Sequence, residues 1–380
     1  MIYLDNAATT KISKEAYDAM TPYLLEEYGN PSGVYSLSRS AHSALDTARQ
    51  QLAHALKARF PREIFFTSCG TESDNWALFG TALLSKKKHI VVSAVEHHAI
   101  LNTALQLEKL GYEVSYAPCD KYGTVSPEAV KSVLREDTFL ISVMLANNEV
   151  GTINPISKIS AIAHERGIIM HTDAVQAAGH IPIDVNALDV DMLSLSGHKF
   201  HAPKGVGALY IRSGTKIDSF LNGGSQERQK RAGTENLASI VAMGKAMEIC
   251  ERGMKEEMEK VSALRDRLSQ ALINEVDRIY INGNKEQRLP GNLNIAVEGV
   301  RSDALIYMLD NLGVACSAGS ACAAGSAEPS HVLSAMKIRK DLSKSVVRFS
   351  LSKYNTADEI DKAAYLIKTS IFKLRKKGGK

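Results

Sequence analysis

Paired cysteines, long apolar runs and a targeting segment are all missing from this sequence of 380 residues. Its five cysteines are scattered, no two show the C-x-x-C spacing of a zinc or redox site, and their odd number argues against a disulfide framework. No apolar run is long enough to span a bilayer, and the start MIYLDNAATT reads as folded protein rather than as a signal peptide. We therefore expect a cytoplasmic protein with neither a structural metal nor a membrane partner.

A strong excess of one charge is missing as well. The chain has 46 basic and 42 acidic residues, and its basic clusters, KKK at 86–88 and KLRKKGGK at 373–380, are typical of solvated surface. We therefore predict no nucleic-acid partner. With 44% hydrophobic and 23% charged residues, the composition is that of a globular protein with ample core.

What the sequence does contain is a regular alternation of strand and helix patterns from about residue 60 to 215. Apolar segments such as HIVVSAV and TFLISVML are separated by helix-like segments such as HHAILNTALQLEKLG. This alternation predicts an α/β fold whose mainly parallel, seven-stranded sheet is flanked by helices and holds ligands at the carboxyl ends of its strands. We predict a large domain over 15–255 and a smaller α+β domain formed by 1–14 and 256–380.

Polar side chains follow these strands where ligands are expected. Asp173 ends the strand GIIMHTD, and because a buried carboxylate needs a partner, a salt bridge, a helix cap and a ligand-binding role are all open. His97 and His98 follow HIVVSAV, and a histidine there stacks on an aromatic ligand, moves protons or is merely structural. Asn147 or Asn148 in MLANNEVG orients a ligand group or shapes the turn.

Two further strand ends add an anion site and an amine. In FFTSCGTESDN, Thr71 and Asp74 have the spacing of a helix N-terminus; the amides after Gly70 suit a phosphate, although helix capping explains the spacing equally well. Lys199 in SLSGHKF ends another strand, where a solvated loop lysine is the ordinary alternative. A lysine, an acid, a histidine and a phosphate-type turn at one sheet edge are the set that pyridoxal phosphate requires.

Short motifs spread along the whole chain carry a family resemblance. In order they are YLDNAATT, GNPSG, TESDN, EHHA, NNEVG, DAVQ, SGHK, PKGVGALY, RAGTEN, GSAC, EPSHVL and VRFSLS. Together they resemble the cysteine desulfurases of the NifS/IscS type, which are similar to class V aminotransferases. The resemblance implies the fold type I architecture of pyridoxal-phosphate enzymes and a homodimer.

The resemblance also implies a set of cofactor-binding residues. Lys199 would bind the cofactor covalently, Asp173 would pair with its pyridine nitrogen, and His97 would stack on its ring. Thr234 would reach the phosphate held by the other subunit. The complete set is Gly70, Thr71, His97, Asn148, Asp173, Gln176, Ser196, His198, Lys199 and Thr234.

The reaction implied by the resemblance converts L-cysteine to L-alanine. Asn148 and Arg348 would bind the substrate carboxylate, and His97 would move the proton of the substrate thiol. Lys199 would take the α-proton, and Cys322, in the segment GSAC, would receive the sulfur as a persulfide. The sulfur would then pass to an acceptor protein, such as an iron–sulfur scaffold or a component of tRNA thiolation.

Departures from the family pattern and rival functions remain open at this point. Cys69 stands where many relatives have glycine and is interpreted as packing, and Gln229 and Lys230 also occupy positions that often include glycine. Cys316 is either an inert thiol or a second sulfur carrier after Cys322. The rival functions are a selenocysteine lyase, an aminotransferase for small amino acids, and a sulfur carrier or scaffold without catalysis.

Overall fold

A computed structural model describes residues 1–318 and 330–378. Its strands are β1 (Ile2–Tyr3), β2 (Ile64–Thr67), β3 (His89–Ser93), β4 (Glu113–Ala117), β5 (Thr138–Ser142), β6 (Ile169–Asp173), β7 (Met192–Ser196), β8 (Gly207–Ile211), β9 (Ile279–Asn282), β10 (Asn292–Val297), β11 (Val314–Ala315), β12 (Ser317–Ala318) and β13 (Val346–Ser350). Its helices are α1 (Lys14–Met20), α2 (Pro22–Leu25), α3 (Ser36–Ala55), α4 (Gly70–Leu84), α5 (His98–Lys109), α6 (Pro127–Lys131), α7 (Ile156–Glu165), α8 (Val185–Leu188), α9 (Gln226–Gln229), α10 (Leu237–Glu275), α11 (Ser302–Asn311), α12 (His331–Ala335), α13 (Lys340–Ser343) and α14 (Ala357–Gly378). Pro61–Glu63 and Gly197–Lys199 form short 3₁₀ turns.

Seven strands form the central sheet in the order β2-β8-β7-β6-β5-β3-β4. Strands β7, β6, β5, β3 and β4 pair in parallel, and β8 runs antiparallel between β7 and β2. Most of these strands are buried at every position, which explains their nearly continuous apolar sequences. The predicted α/β class with a mainly parallel sheet is confirmed.

Helices cover both faces of this sheet. On one face α4 and α5 bury an apolar layer that includes Trp76, Leu78 and Ile100. On the other face α3, α7 and α10 contribute to a larger core, with Leu52 of α3 and Ile159 of α7 among its members. No helix within 1–318 or 330–378 is long and apolar enough to cross a membrane.

A second sheet has its own apolar core. It is antiparallel in the order β12-β13-β10-β9, and buried residues of α10 and α14, including Leu268 and Ile367, pack in the cluster that covers it. Ile2 and Leu4 belong to the same cluster, because β1 pairs with β11. The 39-residue helix α10 takes part in both cores. The predicted limits of the two domains stay a prediction.

The fold gathers the predicted site residues at the carboxyl edge of the large sheet. There β6 ends at Asp173, and the turn after β7 ends at Lys199. Helices α4 and α5 begin at the same edge, after β2 and β3. The ligand side of the sheet is therefore lined by strand ends and by two helix N-termini, as parallel topology dictates.

The segment before α10 has an unusual backbone that includes Gln229, one of the two positions where relatives often have glycine. Glu227, Arg228 and Gln229 have φ values of 44°, 57° and 63°, the left-handed region that disfavours side chains. The buried Arg49 holds this turn in place, because its guanidinium donates to both carboxylate oxygens of Glu227 at 2.9 and 2.7 Å. Lys230, with φ of −102°, lies outside the strained region.

Gln229→Gly should therefore stabilise the protein. Glycine adopts this conformation without a steric penalty, so we expect the free energy of unfolding to rise by about 1 kcal/mol. Lys230→Gly is the matched control and should lower it, because glycine there adds unfolded-state entropy and removes the hydrogen bond that Lys230 Nζ donates to the Ile217 carbonyl at 2.8 Å. Denaturant unfolding of both variants at one protein concentration checks this; a gain for Lys230→Gly or a loss for Gln229→Gly would contradict it.

Candidate active site

Within the described residues, one cavity of about 200 Å³ gathers every predicted site residue except Thr234. The predicted residues on its wall are Gly70, Thr71, His97, Asn148, Asp173, Gln176, Ser196, His198, Lys199 and Arg348. They come from the carboxyl edge of the large sheet and from β13 of the second sheet. Residues separated by up to 278 positions in sequence thus share one small space (348 − 70 = 278).

The N-terminal segment forms a wall of this cavity, which sequence reasoning missed. The Lys199 Nζ donates hydrogen bonds to the carbonyl oxygens of Ala7 and Ala8, both at 2.8 Å. The Gln176 side chain donates to the Ala7 carbonyl as well, at 3.0 Å. His198 contacts Thr9 at 3.1 Å. The first ten residues therefore orient the lysine side chain through backbone carbonyls. Such a role cannot be predicted from a motif of side chains.

Asp173 presents a buried carboxyl group to the cavity. It is 4% exposed, and its Oδ1 accepts a hydrogen bond from the Val175 amide at 2.8 Å. Burial raises the pKa of Asp173 to about 6, and the positive charge of Lys199 opposes that rise. Of the interpretations open from the sequence, ligand binding fits this position, because a cationic ring nitrogen would stabilise the carboxylate.

The capping interpretation of Thr71 and Asp74 is wrong. Helix α4 begins at Gly70, so Cys69 is the N-cap residue, its side chain makes no capping bond, and Thr71 lies in the first turn. A Cβ at Gly70 would lie 2.7 Å from Val175 Cγ2, so glycine permits a close approach here. The first amides of α4 thus face the cavity end that Thr71 lines, and these suit an anion.

Asp74 is a buried residue of the site. The sequence does not assign it there, because its spacing from Thr71 fits helix capping. It is 1% exposed and lines the cavity, and its Oδ1 has no hydrogen-bond partner among the described residues. His171 Nε2 lies 3.8 Å from that oxygen. Burial and the charge of Asp173 raise the pKa of Asp74 well above its usual range, which favours the uncharged form of this carboxyl group.

His97 is held as a neutral imidazole. It is the N-cap of α5, and its Nδ1 accepts a hydrogen bond from the Ala99 amide at 3.1 Å, which assigns the proton to Nε2. Burial lowers the pKa of His97 to about 4, and the charge of Lys199 contributes to this. Such a ring suits stacking and hydrogen-bond donation. The predicted role in moving the thiol proton stays a prediction.

Arg348 brings a cation from β13 into the site. It is 1% exposed; its Nη1 donates to the carbonyl of Asn148 at 2.8 Å and its Nη2 donates to Asp5 Oδ1 at 3.0 Å. The neighbouring Asn147 is buried and shapes the turn, since its side-chain oxygen accepts the amides of Glu149 and Val150 at 2.9 Å. Asn148, rather than Asn147, therefore lines the cavity.

Of the predicted residues that the structure describes, Thr234 does not line this cavity. Thr234 is exposed in the segment before α10. Cys322 lies outside the described residues, but both flanks of 319–329 contact the site. Ser317 donates to Asp5 at 2.7 Å, and Ser330 donates to Glu149, another cavity residue that the sequence reasoning did not assign, at 2.6 Å.

The other two thiols near the site have different surroundings. Cys69 lines the cavity and is half-buried, so it does not simply fill the core. Burial raises the pKa of the Cys316 thiol to about 12, with the charge of Asp5 adding to the effect. A thiol of that kind is not nucleophilic at neutral pH, which argues against Cys316 as a sulfur carrier. Within the described part of the chain, no group of three histidine, cysteine or acidic residues could hold a metal ion.

Comparison with known proteins follows the same lines. The family Aminotransferase class-V matches residues 2–363. The chain is 48% identical to the cysteine desulfurase IscS of Methanosarcina thermophila over 98% of this chain and 93% of that protein. It is 44% identical to the cysteine desulfurase NifS of Azotobacter vinelandii over 98% and 93%.

Solved structures agree with the sequence matches. A NifS-like protein superimposes with a TM-score of 0.91 at 37% identity, covering 97% of this chain and 98% of that one. A structure described as SspA in complex with cysteine gives a TM-score of 0.83 at 34% identity, covering 94% of this chain and 100% of the other.

Proposed function

We propose how this chain, which belongs to the aminotransferase class-V family and is a pyridoxal-phosphate-dependent cysteine desulfurase, divides its reaction among its residues. The observation that carries the assignment is the cavity shared by Lys199, Asp173, His97 and Arg348. An amine, a buried carboxyl, a neutral imidazole and a guanidinium have no common structural purpose there. They match an amino-acid substrate bound beside a cationic aromatic cofactor.

The donor set of the cavity fits pyridoxal phosphate. The amides that begin α4, with the side chains of Thr71, Ser196 and His198, would hold the phosphate. Asp173 would keep the ring nitrogen protonated, and Gln176 would reach the phenolic oxygen. When bound, the cofactor supplies an electron-accepting ring that stabilises negative charge on the substrate Cα.

The residues of this chain then bind the substrate and move its protons. Arg348 and Asn148 hold the carboxylate of L-cysteine, and the neutral ring of His97 packs on the cofactor. Lys199 would hold the cofactor covalently at rest, and its amine would take the α-proton of the substrate. Its contacts with the carbonyls of Ala7 and Ala8 keep the amine in the cavity for that step.

Sulfur leaves through Cys322. Its thiolate attacks the substrate sulfur, the Cβ–S bond breaks, and Cβ gains a proton to give L-alanine, while the sulfur stays on Cys322 as a persulfide. Two contacts support this route: Ser317 donates to Asp5, the partner of Arg348, and Ser330 donates to Glu149 of the cavity wall. The relative solved with bound cysteine supports this substrate class.

A homodimer would complete the site. Thr234 is exposed in its own chain, and the ion pair of Arg231 with Glu72, at 2.7 Å, holds its segment beside the start of α4. A surface groove of about 1080 Å³ borders this segment, and the nearby Val34 and Tyr35 are exposed apolar residues. A second copy would cover this surface and receive Thr234 at its phosphate. The acceptor would be a cytoplasmic protein, such as an iron–sulfur scaffold or a tRNA-thiolation component.

The test compares wild type with Cys322→Ala, both loaded with pyridoxal phosphate and supplied with L-cysteine and dithiothreitol. Wild type should form alanine and sulfide in equal amounts, and the variant should lose about 10³-fold or more of this rate, because it lacks the thiol to which the proposed route assigns the sulfur. Cys316→Ser is the matched control and should keep full activity.

Equal alanine formation by wild type and Cys322→Ala would contradict the proposed sulfur route. It would instead indicate a lyase that does not need the thiol, as expected of a selenocysteine lyase. Alanine formation that required a 2-oxo acid would indicate an aminotransferase. A protein that bound no pyridoxal phosphate at all would favour a carrier without catalysis.

A further inference from the structure

We propose that Asp5 is a positioning residue that sets the orientation of the Arg348 guanidinium for the substrate carboxylate. The inference rests on the proposed role of Arg348 and adds to it. Asp5 belongs to the motif YLDNAATT, and its carboxylate has no other part in the proposed reaction.

The contacts fix the guanidinium from two sides. Asp5 Oδ1 accepts from Nη2 at 3.0 Å, and the Asn148 carbonyl accepts from Nη1 at 2.8 Å. Arg348 Nε is buried and has no hydrogen-bond partner among the described residues. A buried cationic donor without an acceptor is costly. A ligand oxygen that accepts a hydrogen bond from Nε would therefore contribute most to the free energy of binding.

Asp5 is itself held rigidly enough to act in this way. Its second oxygen, Oδ2, accepts from Ser317 Oγ at 2.7 Å, so both carboxylate oxygens are engaged. Its backbone forms a bridge with Ser350, two residues after Arg348 on the same strand. The carboxylate also supplies the negative charge that a buried guanidinium needs before the substrate arrives.

The carboxylate is not needed to fasten the N-terminal segment to the second sheet. Asn6 donates through its side chain to the Ser350 carbonyl at 2.9 Å, and the Ala7 amide donates to Ser350 Oγ at 2.8 Å. Ile2 and Leu4 are buried in the apolar core of that sheet. A purely structural role of the Asp5 side chain would therefore duplicate contacts that exist without it.

The experiment uses the pyridoxal-phosphate-loaded enzyme and the variants Asp5→Ala, Asp5→Ser and Asp5→Asn. The side chains introduced by Asp5→Ala and Asp5→Ser are too short to reach Arg348. We therefore expect KM for L-cysteine to rise about tenfold in both variants while kcat changes less than about threefold. Asparagine keeps an acceptor oxygen at the same reach and should restore KM to within about threefold. Asp5→Ser is run in parallel with Asp5→Ala, so the comparison stands if alanine lowers the yield of folded protein.

A binding readout separates positioning from a general structural effect. L-Alanine and ethylamine differ by the carboxylate alone, and each is titrated into the loaded enzyme while the visible spectrum is recorded. Asp5→Ser should lower the affinity for L-alanine about tenfold and leave the affinity for ethylamine unchanged. Equal weakening of both ligands, or an unchanged KM for both short variants, would overturn the inference.

Arg348→Ala distinguishes failure of this inference from failure of the proposed function. If Arg348→Ala raises KM for L-cysteine but Asp5→Ser does not, Arg348 binds the carboxylate and Asp5 does not position it. If Arg348→Ala leaves KM and the affinity for L-alanine unchanged, the proposed role of Arg348 is wrong, and the inference about Asp5 falls with it.

Discussion

Lys199→Ala should lower the rate of alanine formation from L-cysteine about 10⁴-fold or more. In the proposed mechanism the substitution would remove both the covalent anchor of the cofactor and the base that takes the α-proton, and the described cavity contains no second lysine. His97 and His198 both feel the charge of Lys199, but burial and that charge lower the pKa of each to about 4, so neither can replace an amine at neutral pH. The rate is measured as alanine released, and covalent attachment is measured by mass after borohydride reduction.

Lys204→Ala is the matched control for this prediction. Lys204 is exposed and follows Lys199 by five positions, beyond the turn that ends β7. We expect its variant to keep the wild-type rate and the reduced cofactor adduct. An adduct on Lys204, or a Lys199→Ala variant that kept a tenth of the wild-type rate, would show that the anchor has been assigned to the wrong lysine.

The second large effect is expected at Asp173. Asp173→Asn keeps the shape of the side chain but removes the negative charge that, in the proposed mechanism, would hold the ring nitrogen protonated. We expect turnover to fall about 10²- to 10³-fold while the cofactor still binds through Lys199. The measurement is the single-turnover rate of alanine formation, with the visible spectrum of the loaded protein recorded beside it.

Asp74→Asn is the control that the structure offers for Asp173. Asp74 lines the same cavity and is equally buried, but burial and the charge of Asp173 raise its pKa well above the usual range and favour its uncharged form. An uncharged amide of the same shape should therefore change turnover less than about threefold. Similar losses in both variants would show that the ionised member of the pair has been misassigned.

The parts of the fold that repeat a local pattern could be predicted from the sequence. The parallel strands β3, β5, β6 and β7 are buried on both faces, so each reads as a short apolar segment, and a polar residue at its end stands out. This is why the amino-acid pattern alone singles out Asp173 and Lys199. Their meeting at one edge follows from parallel topology.

Contacts made by backbone groups over long sequence distances could not be predicted. The carbonyls of Ala7 and Ala8 bind Lys199 across more than 190 positions, and a carbonyl leaves no mark in the sequence. The local spacing of Thr71 and Asp74 misled for a related reason. It fits a capping motif, whereas the burial of Asp74 beside Asp173 depends on how α4 packs on the sheet.

The left-handed turn at 227–229 could be predicted from the sequence only in part. The sequence shows Gln229 and Lys230 where glycine is common, which marks the backbone there as unusual. Only the structure shows that Gln229 is the strained one of the two, with φ of 63° against −102° for Lys230. The compensating ion pair of Arg49 with Glu227 joins residues 178 positions apart.

The central claim is that sulfur leaves L-cysteine by way of Cys322, and mapping the sulfur after one turnover tests it most directly. Enzyme loaded with pyridoxal phosphate is mixed with one equivalent of L-cysteine without reductant, alkylated, digested and analysed by mass spectrometry. We predict one extra sulfur atom on the peptide that contains Cys322, in an amount equal to the alanine formed, with Cys69 and Cys316 unmodified. Alanine formed in full while the sulfur appears on Cys69, on Cys316 or on no cysteine would contradict the account.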